Sequence, residues 1–152
     1  LEFLNTKERN FPIDSFIKKI HDDKSSLHNW VWHDYERILS QINPEQYSFE
    51  SKDQIIQRNG LPNSPLMETY YIKNRFFIEE DHTLNNVKKL EGIPGYIVQG
   101  RYDLICPPIN AFHLHQKWSS SKLKLINTAG HSSSDTGILE NLFFALDEII
   151  SN

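Results

Sequence analysis

The chain has 152 residues, of which 38% are apolar and 24% charged, with a formal net charge of −4. That length suits one ordinary domain, and the negative balance gives no reason to expect nucleic acid or an anionic membrane as a partner. No stretch approaches the ~20 apolar residues of a membrane span. The single Cys106 cannot close an internal disulfide, which favours a reducing, cytoplasmic setting. The start at Leu1, with no signal or transit pattern, suits a fragment or a processed chain.

In chain order, residues 1–85 read as helical, irregular and rich in Trp, Tyr and Phe. A first helix opens at Phe11-Pro12-Ile13-Asp14 and runs through Lys19, because proline is tolerated in a first turn. A second runs from Trp30 to Ile42, with Trp32, Tyr35, Leu39 and Ile42 at helical spacing and Pro44 as its stop. Ser51 to Arg58 is a weaker helix ended by Gly60 and Pro62, and Pro65 to Phe77 is predicted as one further helix. Residues 86–152 alternate instead. A short helix at Leu84 to Leu90 and a turn at Gly92-Ile93-Pro94 lead into a strand at Tyr96 to Gln99. A helix from Pro107-Pro108 to Trp118, a strand from Leu123 to Asn127 and a helix from Gly137 to Ile150 complete the chain. Leu139, Leu142, Phe143, Leu146 and Ile150 share one face of that last helix. Strand–helix–strand–helix order implies a parallel pair joined by a right-handed crossover, hence an α/β class. Two parallel strands leave faces and an edge in need of cover.

Each strand runs into a loop with a polar residue at its C-terminal end, where open parallel sheets build their sites. Asp103 follows Gly100-Arg101-Tyr102, and His131 follows Ala129-Gly130. An acid then a histidine, on consecutive strand–loop–helix units, match the last two members of a Ser…Asp…His triad. The plainer alternative is that Asp103 caps a turn and His131 is an ordinary loop histidine. Gly130 is expected to permit a tight turn before the histidine, and Asp135 to cap the last helix. Cys106 reads as a buried, inert thiol. His113 and His115, two apart on a helix, face different ways, so no metal site is expected.

Ile93-Pro94-Gly95-Tyr96-Ile97-Val98-Gln99-Gly100-Arg101-Tyr102-Asp103, Cys106-Pro107 and Ala129-Gly130-His131-Ser132 together resemble the C-terminal third of prolyl aminopeptidases (proline iminopeptidases). These are serine peptidases of the α/β-hydrolase fold with a helical cap. Trp32-His33-Asp34-Tyr35-Glu36 is similar to the family's W-x-x-W-E, with Tyr35 in place of the second Trp. Glu68-Thr69-Tyr70-Tyr71 resembles its E-N-H-Y-F. Asn74 and Phe77 fit the family's next motif, N-G-G-F, with Arg75 and Phe76 replacing the glycines. The resemblance implies that Asp103 is the triad acid and His131 the base. It makes Glu36 and Glu68 the cap carboxylates that receive the free imino group of an N-terminal proline. Trp32, Tyr35, Tyr70, Tyr71 and Phe77 would wall a proline-sized pocket; ordinary helix packing is the alternative for each. No cofactor and no metal are implied.

The family's H-G-G-P-G loop and G-x-S-W-G elbow do not occur in these residues, nor does any G-x-S-x-G. The chain is therefore expected to be the C-terminal part of such an enzyme: a helical cap region, 1–85, followed by the last two strand–helix units of the core, 86–152. Its expected partners are a peptide with an N-terminal proline and the missing N-terminal half, and without that half it is expected to be inactive. An esterase or epoxide hydrolase with the same acid and base, or an interaction module without catalysis, are the competing readings.

Overall fold

The computed structural model describes residues 3–42 and 50–151. These fall into two compact units, one of residues 3–37 with 50–79 and one of residues 38–42 with 80–151.

In the first unit, α1 (Pro12–His21) begins on its proline and buries Ile17 and Ile20. Helix α2 (Ser26–Leu39) starts four residues before Trp30, and Pro44, its expected stop, lies outside the described residues. The earlier start comes from polar bonding that apolar spacing does not show. The Ser25 hydroxyl accepts the His28 N–H at 3.4 Å and lies 2.7 Å from His28 Nδ1. His28 is buried, which pushes its pKa down and keeps the ring neutral. Its Nε2–H then donates to the Phe3 carbonyl at 3.1 Å. Helix α3 (Lys52–Ile56) opens with a Ser51–Gln54 capping box and fully buries Ile55.

Helix α4 (Ser64–Lys73) is shorter than the expected Pro65 to Phe77. Asn74 folds back, its Nδ2 donating to the Tyr70 carbonyl at 2.8 Å. A 3-10 turn, Arg75–Phe77, comes next. Across the unit, Asp34 of α2 is 1% exposed and faces Arg58. Arg58 Nη1 donates to Oδ1 at 3.0 Å, and its Nη2 stands 2.9 Å from Oδ2. The same guanidinium reaches Glu50 at 3.0 Å and lies 4.8 Å from the centre of the Trp30 ring.

In the second unit, the expected Leu84 to Leu90 helix is two pieces, α5 (His82–Asn86) and a 3-10 turn (Val87–Leu90). Strand β1 (Gly95–Gly100), helix α6 (Pro108–Lys117), strand β2 (Ser121–Ile126) and helix α7 (Thr136–Ile150) complete it. The two strands pair in parallel from Gly95↔Ser121 to Gly100↔Ile126, as the alternation of elements implied. Ile126, Ala129 and Ile138 form a small core with Val98 against it. The register sets Tyr96 beside Lys122. Lys122 Nζ lies 2.6 Å from the Tyr96 hydroxyl and 2.6 Å from Glu148, and Tyr96 also donates to Glu148. This ties both strands to α7. Helix α7 buries Ile138 and Ala145, while Leu139, Leu142, Phe143, Leu146 and Ile150 are all 38% exposed or more. The apolar face read from the sequence is thus largely open to water in this unit. No helix among the described residues is long and apolar enough to cross a membrane.

Without Arg58 the buried Asp34 charge keeps only Arg37, whose Nη2 lies 3.7 Å from Oδ1, and a buried charge that loses its main partner is costly. Arg58→Ala is expected to cost about 3 kcal/mol, measured by urea denaturation. A loss below about 1 kcal/mol, the ceiling for an exposed pair, would show that Asp34 is solvated.

Candidate functional site

The first cluster lies in the second unit, at the C-terminal ends of β1 and β2. The two loops are stitched together by backbone. Arg101 N–H donates to the Ile126 carbonyl at 2.9 Å and Tyr102 N–H to the Ala129 carbonyl at 3.0 Å. A Cβ on Gly100 would stand 2.0 Å from the Gly130 carbonyl oxygen, so only glycine permits this approach. Asp103 is 7% exposed. Its Oδ1 accepts the N–H of Ile105 at 3.0 Å and of Cys106 at 2.8 Å. Gln99 Nε2 donates to Oδ2 at 3.2 Å. His131 Nδ1 lies 3.1 Å from Oδ1 and 3.0 Å from Oδ2. Burial alone would raise the pKa of Asp103. The Cys106 N–H, His131 and the Ile105 N–H outweigh it, and the carboxyl is held below its usual range. An ionised Asp103 therefore fixes the proton of the neutral imidazole on Nδ1. His131 Nε2 has no hydrogen-bond partner among the described residues, and the side chain is 39% exposed. The arrangement can take up a proton at Nε2 while Asp103 balances the charge that forms.

The second cluster lies in the first unit. Glu36 of α2 and Glu68 of α4 are half-buried and hydrogen-bonded to each other. Trp32, one turn before Glu36, donates its Nε1–H to Glu68 Oε2 at 2.9 Å. Burial, then the bond to Glu68 and its charge, push Glu36 up to about 8. Glu36 therefore stays protonated at neutral pH. Two carboxyl groups sharing a proton can exchange it for a cationic amine. Thr69 is fully buried; its hydroxyl donates to the Pro65 carbonyl at 2.5 Å and lies 2.9 Å from His21 Nε2. Tyr35 is 50% exposed, with no hydrogen bond or ring contact among the described residues.

Tyr70, Tyr71 and Phe77 cluster, and Phe76 joins them. Phe77 lies 5.7 Å from Tyr70 and 5.6 Å from Tyr71, and Phe76 lies 6.4 Å from Tyr71, ring centre to ring centre. The turn that brings in the two phenylalanines is left-handed at Arg75 (φ 49°), Phe76 (φ 55°) and Phe77 (φ 57°). For residues with a Cβ this costs about 1–2 kcal/mol each.

Several local expectations are corrected. Cys106 is exposed, not buried. Its thiol is nonetheless pushed up by partial desolvation and the Asp103 charge, away from a reactive thiolate. The Asp135 side chain does not cap α7; it accepts the Gly130 N–H at 2.8 Å. Gly130 has no left-handed φ, and its contribution is space, since a Cβ there would lie 3.0 Å from the Ser40 carbonyl oxygen. Gln99, which bonds Asp103, and His21, which meets Thr69, were not anticipated. Gln99 was open to detection as the strand residue next to Gly100, four before the acid; His21 carried no pattern. Among the described residues no group of three His, Cys, Asp or Glu side chains could hold a metal ion.

No family model matches the chain. Similar proteins named proline iminopeptidase occur in Arabidopsis thaliana (28% identity over 140 residues, 90% of this chain and 36% of that protein). A second, from Xylella fastidiosa strain Temecula1, is 38% identical over 81 residues, 53% of this chain and 26% of that protein. A third, from Neisseria meningitidis, is 29% identical over 121 residues, 79% of this chain and 36% of that protein. The chain is a relative of these proteins and spans about a third of their length or less.

The carboxyl carbon of Glu36, followed by NMR, is expected to titrate near 8 and to move down in Glu68→Gln, where burial alone still raises it. A raised carboxyl pKa gives stability that is complete below the ordinary value of 4.5 and lost as pH rises to about 8. Stability of Glu36→Gln should therefore fall less between pH 5 and 8 than that of the parent. Separately, Arg75→Gly is expected to raise stability by about 0.5–1 kcal/mol through relief of the left-handed strain, partly offset by chain entropy. Arg75→Ala should bring no such gain in the same denaturation experiment.

Proposed function

We propose that this relative of the proline iminopeptidases supplies the acid, the base and the amine-binding carboxylates of an enzyme that releases N-terminal proline from peptides. In this reading residues 1–85 belong to the cap and residues 86–152 to an α/β-hydrolase core. The nucleophilic serine comes from polypeptide outside these 152 residues. The observation that carries the reading is the Asp103–His131 pair: a buried acid on three donors holds a histidine whose Nε2 is unpartnered among the described residues.

The chemistry derives from those positions. His131 Nε2 takes the proton of the serine hydroxyl as its oxygen attacks the carbonyl of the proline residue. The imidazolium that forms is stabilised by Asp103, which keeps its own proton off. His131 then hands the proton to the departing nitrogen of the second residue, and the proline remains as an ester on the serine. Water, deprotonated by the same Nε2, releases it. Glu36 and Glu68 receive the cationic imino group of the substrate, with Glu36 giving up its proton on binding. Affinity for the cationic amine therefore rises with pH towards about 8, the value for Glu36. An N-blocked peptide has no charge to offer the pair.

Assay of the chain on proline naphthylamide tests the proposal. No turnover is expected from the chain alone. Co-expression with a polypeptide matching the remaining two-thirds of a relative should restore turnover. In that assembly, Asp103→Asn should lower kcat by up to ~10⁴, and Glu68→Gln should erase the preference for a free over an acetylated N-terminus. Full kcat in Asp103→Asn would remove the acid from the scheme, and an intact preference in Glu68→Gln would remove the carboxylate pair.

A further inference from the structure

The strained turn after α4 is not explained by packing. Phe76 is left-handed and touches only the Tyr71 ring among the described aromatic residues, at 6.4 Å, yet it remains 57% exposed. Tyr70, Tyr71 and Phe77 are 49%, 43% and 59% exposed. Four neighbouring rings, on the helix that carries Glu68 and in the turn that follows it, thus leave about half of their surface in water. Glycine or asparagine would adopt the same backbone with less strain. A phenylalanine there gains little from its own fold, and its ring is free for a ligand.

We infer that Phe76 is a specificity residue: it receives a large apolar or aromatic side chain on the second residue of a peptide whose amine is held by Glu36 and Glu68. This rests on the carboxylate reading proposed above. Tyr71 lies three residues beyond Glu68 on α4, about 5 Å of helical rise. The Phe76 ring lies 6.4 Å from that of Tyr71, centre to centre. An extended peptide advances about 3.3–3.6 Å per residue. Residues three apart on a helix are surface neighbours, so an amine held at Glu68 turns a large side chain on the second residue towards Tyr71 and the Phe76 ring that Tyr71 contacts. The charge of the pair selects the amine end, and the rings select the side chain on the second residue. Aromatic pairs prefer edge and offset contacts, and the tilted, half-exposed rings of Phe76 and Tyr71 leave such contacts open.

Calorimetric titration of the full chain tests this with four peptides: Pro-Phe-amide, Pro-Gly-amide and the N-acetyl form of each. Pro-Phe-amide should bind about five-fold more tightly than Pro-Gly-amide, the scale of one aromatic contact. In Phe76→Asn and Phe76→Gly that ratio should fall to near one, while Pro-Gly-amide affinity stays unchanged. Both replacements suit a left-handed backbone, and a thermal melt of each variant checks that it is folded. A ratio of one in the parent chain, or an undiminished ratio in both folded variants, overturns the inference. If the acetylated peptides bind as well as the free ones but the Phe76-dependent ratio persists, the carboxylate reading falls and the Phe76 contact stands. Binding of none of the four overturns both.

Discussion

Two glycines that nearly touch govern the C-terminal unit. Gly100 ends β1 against the carbonyl of Gly130, at a distance no Cβ would allow. This contact and the cross-loop bonds of Arg101 and Tyr102 hold both loops in one register. Only then does Asp103, three residues past the first glycine, meet His131, one residue past the second. The acid is prearranged before the histidine arrives, because its Oδ1 closes a turn on two backbone N–H groups and its Oδ2 takes a side-chain amide. Donors of this kind cost no reorganisation when charge develops on the imidazole. Asp135 extends the same logic by fixing Gly130 from the far side.

The first unit handles buried acid in two ways on a single helix. Asp34 and Glu36 are two residues apart on α2 and so face different directions. Asp34 is balanced by Arg58, which also binds Glu50, and by the more distant Arg37, a permanent and structural solution. Glu36 is balanced by a proton shared with Glu68, which a cation can displace. Burial alone does not separate these two kinds of carboxylate. The identity of the countercharge does, since a guanidinium cannot leave and a proton can.

Much of this was legible in the chain, for physical reasons. Turn residues and strand-length apolar runs marked β1, α6, β2 and α7, because strands bounded by glycine and proline leave a local signature. The meeting of Asp103 with His131 was legible as order along the chain, though not as distance. The hidden features were mostly long-range or polar. Gln99 looks like any strand residue until its amide is seen to close on Asp103. The true start of α2 depends on Ser25 and His28 bonding each other, which apolar spacing does not encode. Asp135 sits where a helix cap belongs, but the Gly130 N–H competes for its carboxylate. The break after Lys73 was masked by apolar residues that continue the helical pattern through a backbone that does not.

The left-handed turn carries an evolutionary implication. A mutational screen that rewards heat resistance alone would drift towards small, backbone-tolerant residues at positions 75 and 76. It would select against a ring that is 57% exposed and towards a sturdier protein, the usual exchange between robustness and other demands on a sequence. A left-handed phenylalanine is a cost to folding that a smaller residue would not carry.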